Sequence, residues 1–329
     1  MLRPGPKNLI TDVAGLLVGQ ATDERAGTGV TVIACPGGWT AAADVRGGGP
    51  ATREIEVLGL ENLVGQVHAI SLSGGSVFGL AAADGVCCAL AARGEGLQLA
   101  LGATHVPIVS AACLYDLAGD GNKAWGLDPP YRQLGMAAAN NLSRDVALGP
   151  VGAGRGARAG LHPGGIGSAS LVLEGGVTIG ALAAVNPVGS VYEADGNSFY
   201  AWPFEIDGEF GGARPDPYAP PSDPYPEHSR IGATFRNAAG GATTLCVIAV
   251  SADLTGAECK RVAMMAQDGL ARAVRPAHTP FDGDIVFCVA QGASLGPELE
   301  RPRRVSRMGA AAADTLARAI ARGVYAARG

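Results

Sequence analysis

Three short stretches of this 329-residue chain hold residues whose types and spacing could do chemistry. The first is Thr243, where a small-residue segment, Asn237-Ala-Ala-Gly-Gly-Ala242, meets the apolar run Thr243 to Val250. A threonine hydroxyl is a poor nucleophile until a base takes its proton, and one available base is the residue's own α-amine. That amine exists only if the chain is cut between Ala242 and Thr243. The same residue also reads as an ordinary strand former. The second stretch is Asp282-Gly-Asp284, a tight turn before another apolar run. Two carboxylates this close cannot both ionise freely, so one could orient an amine while the other holds a proton. A capped surface turn is the plainer reading. The third is Asn186-Pro-Val-Gly189, where an amide at a strand end could donate to an oxyanion, or simply open a turn.

Other polar residues carry less. His278 flanks the acidic turn and could tune a proton there. Cys246 lies inside the apolar run and reads as core. His68, His105, His162 and His228 lack metal-ligand spacing, so neither metal nor cofactor is expected.

The elements that must position these groups follow from pattern. Gly29 to Ala34 is β-rich, with Trp39 to Val45 as its expected hairpin partner. Asp44-Val-Arg-Gly-Gly-Gly-Pro-Ala-Thr-Arg53 reads as a charged, turn-rich loop. Ala69 to Leu72 reads as a strand entering Ser73-Gly-Gly-Ser-Val-Phe-Gly79 and then an Ala-rich helix to about Arg93, a layout that can offer backbone N–H groups to an anion. Strands are expected near 106–116, 168–174 and 177–186, a helix over 132–144, and a glycine-dense loop over 149–167. Pro203 to Pro226 holds seven prolines and excludes a helix or central strand. Its aromatic residues (Trp202, Phe204, Tyr218, Tyr225) suit either a pocket wall or an exposed linker. Thr243 to Val250 and Ile285 to Ala290 read as strands buried on both faces. Thr255-x-x-Glu258 is a capping box opening a helix that Pro276 ends, and Ala310 to Ala327 is a final helix.

Composition narrows the function classes. Net charge is −5, and Lys7, Lys123 and Lys260 are the only lysines, so a nucleic-acid partner is not expected. Seven scattered cysteines without a Cys-x-x-Cys pair read as reduced core residues of a cytoplasmic protein. Residues 1–7 lack a signal-peptide stretch, and no apolar run is long enough to predict a membrane span. Fifty glycines point to layers whose backbones approach closely.

Taken together, Gly241-Ala-Thr-Thr-Leu-Cys-Val-Ile-Ala-Val250 and Pro276-Ala-His-Thr-Pro-Phe-Asp-Gly-Asp284 resemble the DmpA-type aminopeptidases and the related 6-aminohexanoate-oligomer (nylon oligomer) hydrolases. The likeness extends to Asp44-Val-Arg-Gly-Gly, Ser73-Gly-Gly-Ser, Gly152-Ala-Gly, Gly165-Ile-Gly-Ser168 and Asn186-Pro-Val-Gly, and so covers the whole chain as one domain. The resemblance implies an α/β fold, a four-layer αββα sandwich. It also implies self-cleavage into residues 1–242 and 243–329, with Thr243 as the new N-terminal nucleophile. By the same resemblance Asn186 matches the oxyanion-hole asparagine, and Tyr115 a tyrosine near the reacting carbonyl. Asp282 and Asp284 match the acidic pair of the nylon-oligomer branch, where the aminopeptidase branch tends to carry Ser and Glu. The implied substrate is a short peptide or an ω-amino-acid oligomer, and the implied assembly a homo-oligomer, a tetramer of processed heterodimers. Alternatives within the same architecture are an aminopeptidase on β- or L/D-amino-acid amides, an acyltransferase like the ornithine acetyltransferases, and an uncut binding relative. Two positions depart from the pattern: Ala242 stands where the family usually has Asn, and Leu161 about where it has a Lys. Lys123, Arg155 and Arg158 are the cations that could replace that charge.

Overall fold

The computed structural model describes residues 3–219, 223–231 and 241–328. In chain order its strands and helices are β1 (Leu17–Asp23), β2 (Thr28–Val45), β3 (Thr52–Arg53), β4 (Gln66–Ser73), α1 (Ala82–Ala92), β5 (Val109–Cys113), α2 (Tyr131–Asn140), β6 (Leu142–Ser143), β7 (Arg158–Ala159), β8 (His162–Pro163), β9 (Gly165–Val172), β10 (Thr178–Asn186), β11 (Thr243–Asp253), α3 (Gly256–Ala273), β12 (Ile285–Ser294) and α4 (Arg301–Ala326). Ten strands share one mixed sheet. Its main path runs β3-β5-β4-β2-β12-β11-β10-β9, with β1 joined to β2 and β6 to β1. The β7–β8 pair stands apart.

This one sheet makes two layers because β2 is long. Its first half pairs with β1 and β4, and its second half with β12. Side chains alternate along a strand, so β2 feeds several cores. Val30 and Val32 face α1 and α2 with Ala69, Val86, Leu90 and Tyr131. Ile33, Trp39 and Ala41 face inward and meet Ile70, Leu182, Leu245, Val247 and Phe287 between the sheet halves. On the far side, Cys246, Ile248, Val250, Val286 and Cys288 pack under α3 and α4 with Val262, Leu270, Leu316 and Ile320. Helix, sheet, sheet, helix is the expected αββα order.

Local departures have local causes. Trp39–Val45 is not a hairpin partner of Gly29–Ala34, since both lie on β2. Pro36-Gly37-Gly38 reads as a turn, but Gly37 (φ 79°) and Gly38 (φ 83°) form a bulge that shifts the β4 register between Ala34 and Trp39. Helix α4 begins at Arg301, nine residues before the expected Ala310, with Pro302 in the first turn, where a missing N–H costs nothing. Helix α2 stops at Asn140, because Leu142 and Ser143 pair with β1. Helix α3 has the expected capping box, with Thr255 Oγ1 accepting from Glu258 N and Glu258 Oε2 from Thr255 N.

The proline-rich stretch divides. Phe204 and Ile206 pack against the α3–α4 core and Phe210 is buried, while Tyr218 and Tyr225 are exposed. Residues 220–222 and 232–240 lie outside the described residues, and with them Asn237 to Gly240 of the segment before Thr243. Five cysteines are buried, Cys87 is half-buried and Cys88 is exposed, so the core reading fails for Cys88. Among the described residues, no helix is long and apolar enough to cross a membrane.

Candidate active site

Strand direction brings the three stretches together. Strands β11 and β12 are parallel, with Leu245 beside Ile285, so their N-terminal ends lie side by side. Strand β10 is antiparallel to β11, and its C-terminal end arrives at the same place. Its last residue, Asn186, is the register partner of Thr243. On β11, Thr243 shares parity with Leu245, Val247 and Ala249, and Asn186 shares parity with Leu182 and Ala184. Those five residues all line the core between the sheet halves. Thr243 and Asn186 therefore lie on one face, as a directly opposed cross-strand pair. Tyr115 follows β5 in the other layer. Its carbonyl accepts from Asn186 Nδ2 at 3.1 Å, and its Cβ would lie 3.0 Å from a Cβ placed on Gly241.

Thr243 is 4 % exposed and Ala242 1 %. The bond between them is held in a backbone ladder: Ala242 N donates to Phe281 O (3.1 Å), and Gly283 N donates to Ala242 O (2.8 Å). Thr243 Oγ1 donates to the same carbonyl oxygen. Glycine at 283 leaves room for this hydroxyl, because a Cβ there would sit 2.7 Å from Thr243 Oγ1.

The acidic pair is no surface turn, for both aspartates are fully buried. Asp282 Oδ1 accepts from Val188 N (3.1 Å), and Oδ2 from Thr279 N (2.9 Å) and Thr279 Oγ1 (2.6 Å). Burial, and then the charge of Asp284, push the Asp282 carboxyl above its usual range, while these donors pull it down. Asp284 Oδ1 accepts from Thr244 N (2.8 Å), one residue beyond Thr243. Its Oδ2 meets both His278 N (3.0 Å) and His278 Nδ1 (2.9 Å), with His278 in a left-handed conformation (φ 56°). His278 thus touches Asp284 directly.

The charged loop after β2 cradles this turn with backbone donors. Arg46 N and Gly47 N donate to Asp284 O, Gly48 N to Thr279 O and Gly49 N to Asp282 O. A Cβ on Gly47 would lie 2.3 Å from Asp282 O, so a side chain cannot fit. Asp44 anchors the loop to Arg46, Lys260 and Gln267. Burial alone would raise its carboxyl, but the hydrogen bonds from Arg46 and Lys260 outweigh it and hold the group low. The Ser73-Gly-Gly-Ser turn does not offer its N–H groups to an outside anion. Gly74 N and Ser76 N are taken by Gly29 O and Leu114 O, and Gly75 N by the carboxylate of buried Asp116.

Of the cations considered for the missing charge, Lys123 Nζ bonds Ala26 O and Gly27 O, and Arg155 pairs with Glu24. Arg158 reaches Asn186 only through its backbone, its N donating to Asn186 Oδ1 at 2.9 Å. Leu161 is 47 % exposed, and its N donates to His228 O. The guanidinium that does reach Asn186 belongs to Arg230, whose Nη2 donates to Asn186 O (2.9 Å), Pro187 O (2.9 Å) and Arg158 O (3.2 Å). Arg230 and Thr279 do not stand out in the sequence, and Gly283 stands out there only as the turn between the two aspartates. Arg230 leaves no local signal, because its partners lie 43 to 72 residues away.

Chemically, the arrangement presents a buried hydroxyl against a carbonyl already held by a backbone N–H, with an amide across the strand and two carboxyls beside it. The model of peptidase family S58 matches residues 8–329. An "uncharacterized aminopeptidase" of Mycobacterium tuberculosis (strain ATCC 25618 / H37Rv) is 42 % identical over 343 residues, covering 98 % of this chain and 94 % of that protein. A 6-aminohexanoate-oligomer endohydrolase of Kocuria sp. (strain KY2) is 30 % identical over 292 residues, covering 87 % and 75 %. Among solved structures, a Burkholderia sp. β-aminopeptidase aligns with TM-score 0.67 at 24 % identity, covering 98 % of this chain and 88 % of that one. The L-aminopeptidase D-Ala-esterase/amidase of Ochrobactrum anthropi, described as a variant of the Ntn hydrolase fold, aligns with TM-score 0.65 at 20 % identity, covering 99 % and 88 %.

Proposed function

From the premise that this chain belongs to peptidase family S58 and is a hydrolase of amide bonds, we propose that it cuts itself between Ala242 and Thr243 and then uses Thr243 as an N-terminal nucleophile. The observation that carries this reading is the Ala242 carbonyl, whose oxygen is shared by Gly283 N–H and the Thr243 hydroxyl. Attack of Oγ1 on that carbonyl carbon forms a C–O bond and places negative charge on the carbonyl oxygen, where Gly283 N–H already points. The C–N bond then breaks, the nitrogen takes the hydroxyl proton, and Ala242 is left as an ester on Thr243. Water hydrolyses the ester, freeing the Ala242 carboxylate and restoring the hydroxyl beside a new α-amine. None of these steps uses the side chain of residue 242, so Ala242 is compatible with the cut.

In turnover the α-amine takes the proton of Oγ1, and Oγ1 attacks the substrate amide. Asn186 gives one amide hydrogen to Tyr115 O, and its other hydrogen is available for the substrate's oxyanion. The Asp282–Asp284 pair sets the charge around the amine. The fragments stay together because β10, from residues 1–242, and β11, from residues 243–329, remain paired from Ile179–Val250 to Asn186–Thr243. The substrates we propose are amino-acid amides and short peptides, following the more identical relative, with ω-amino-acid oligomers as the second class.

Intact-mass spectrometry of the purified protein tests the cut. We expect two species, residues 1–242 and 243–329, and for Thr243→Ala a single chain without amide hydrolysis. A wild-type chain that stays whole and inactive, or a Thr243→Ala chain that keeps its activity, refutes the reading. Release of amine from an L-amino-acid amide, a β-amino-acid amide and a 6-aminohexanoate oligomer, run side by side, separates the substrate classes.

A further inference from the structure

We propose that Arg230 is a positioning residue of this site, locking the side-chain amide of Asn186 so that Nδ2 faces the reacting carbonyl. The inference rests on the Thr243 reading above and adds a residue that neither the motifs nor the register pointed to.

An asparagine amide can turn over, exchanging its oxygen for its NH2, and in this site only one orientation is useful. Asn186 Oδ1 accepts from Arg158 N at 2.9 Å, and Arg230 Nη2 approaches the same oxygen at 3.5 Å. The turned-over amide would set its NH2 against both donors. Arg230 also ties down the backbone that carries this amide. Its Nη2 donates to Asn186 O and Pro187 O at the end of β10, and to Arg158 O, the carbonyl of the residue whose N–H meets Oδ1. One planar group therefore fixes both segments that set the amide.

Arg230 is also linked to the acidic pair. Its backbone N donates to Val188 O (2.8 Å), and Val188 N donates to Asp282 Oδ1 (3.1 Å). Burial pushes the guanidinium down to about 10, while the charge of Asp282 acts to raise it. The group thus stays charged at neutral pH and keeps its donors for the Asn186 segment. Arg230 and Asn186 both belong to residues 1–242, so their contact outlasts the cut.

A double-mutant cycle on kcat separates positioning through Asn186 from a general structural role. The substrate is an L-alanine p-nitroanilide, and the rate is normalised to cut, folded protein by mass spectrometry and thermal melting. Losing one oxyanion donor costs about 10²–10³ in kcat, and a residue acting through that donor should cost less, about 10–100-fold. Arg230→Met should therefore lower kcat by about 10–100-fold with little change in KM, and by no more than about 2-fold in the Asn186→Ala background. Arg230→Lys should recover part of the loss. If Arg230→Met does not fold, Arg230→Lys completes the same cycle with a smaller effect. Unchanged kcat in the Arg230 variants, or equal losses with and without the Asn186 side chain, overturns the inference while leaving Thr243 as nucleophile. A wild-type chain that stays whole and inactive removes both.

Discussion

Replacing Gly283 by alanine should slow both self-cleavage and turnover without removing any catalytic group. The added Cβ would lie 2.7 Å from Thr243 Oγ1, 2.8 Å from Gly49 O and 3.2 Å from Pro50 Cα. Relaxed contacts are near 3.5 Å, so the hydroxyl or the loop must move by about 0.8 Å. The Gly283 backbone is not left-handed, so an alanine can adopt it, and the peptide N–H that serves Ala242 O is retained. The effect is therefore steric. A displacement of about 1 Å at a reacting atom costs about 10²-fold in rate. Overpacking of this kind costs about 1–3 kcal/mol in stability. The assay is a time course of intact mass after rapid purification at low temperature, followed by amide hydrolysis and a thermal melt. We expect fragment formation about 100-fold slower than wild type, with a folded protein remaining. Wild-type rates of cutting and hydrolysis in folded Gly283→Ala would refute the argument that Oγ1 reacts from the position seen here.

Three further outcomes follow from the same packing and electrostatics. Asp284→Asn leaves a buried NH2 facing one of the backbone donors, Thr244 N or His278 N. It should cost about 1–3 kcal/mol in urea unfolding, measured in Thr243→Ala to keep the chain uncut; an unchanged midpoint would contradict the bonding described. Gly75→Ala should be far worse than Gly37→Ala, although both glycines have a left-handed φ (83° and 79°). A Cβ on Gly75 would lie 2.1 Å from the Tyr131 ring, whereas at Gly37 nothing lies within 4 Å. The Gly37 variant should lose only the backbone cost of about 1–2 kcal/mol, and equal melting temperatures would show that the packing is not as described. Asp116 is raised above 3.8, mainly by burial, with the bonds from Thr28 and Gly75 opposing. The folded state then holds more protons than the unfolded state from about pH 4 upward, so this group's contribution falls as pH rises through its folded value. The stability difference between wild type and Asp116→Asn should shift against wild type over that interval, and a pH-independent difference would refute the assignment.

Much of the site was written in the sequence because its parts are local. The apolar runs from Thr243 and Ile285 could only be strands buried on both faces, and the Thr255–Glu258 box and Pro276 bound α3 by short-range bonding and ring geometry. Thr243 at the edge of a small-residue segment, and two aspartates around a glycine, were visible as chemistry-bearing types. The expected hairpin of Gly29–Ala34 with Trp39–Val45 fails for the same local reason, since the glycine pair between them permits a bulge as readily as a reversal, and only the partner strand selects between them.

What the tertiary structure decided is which of these local pieces meet. Thr243 faces Asn186 because an antiparallel register places two strand ends opposite each other, and a one-residue slip of either strand would turn its residue to the other face. Gly283 donates to Ala242 O because β11 and β12 run parallel, which no periodicity in either strand specifies. The Gly47–Gly49 cradle and the Arg230 contacts join segments far apart in the chain, so their partners leave no mark on local pattern. The sequence by itself determined the strands, the helix boundaries near α3 and the reactive residue types. The placement of the hydroxyl, the carbonyl and the amide within reach of one another was decided by register and close packing between layers, which exist only once the chain has folded.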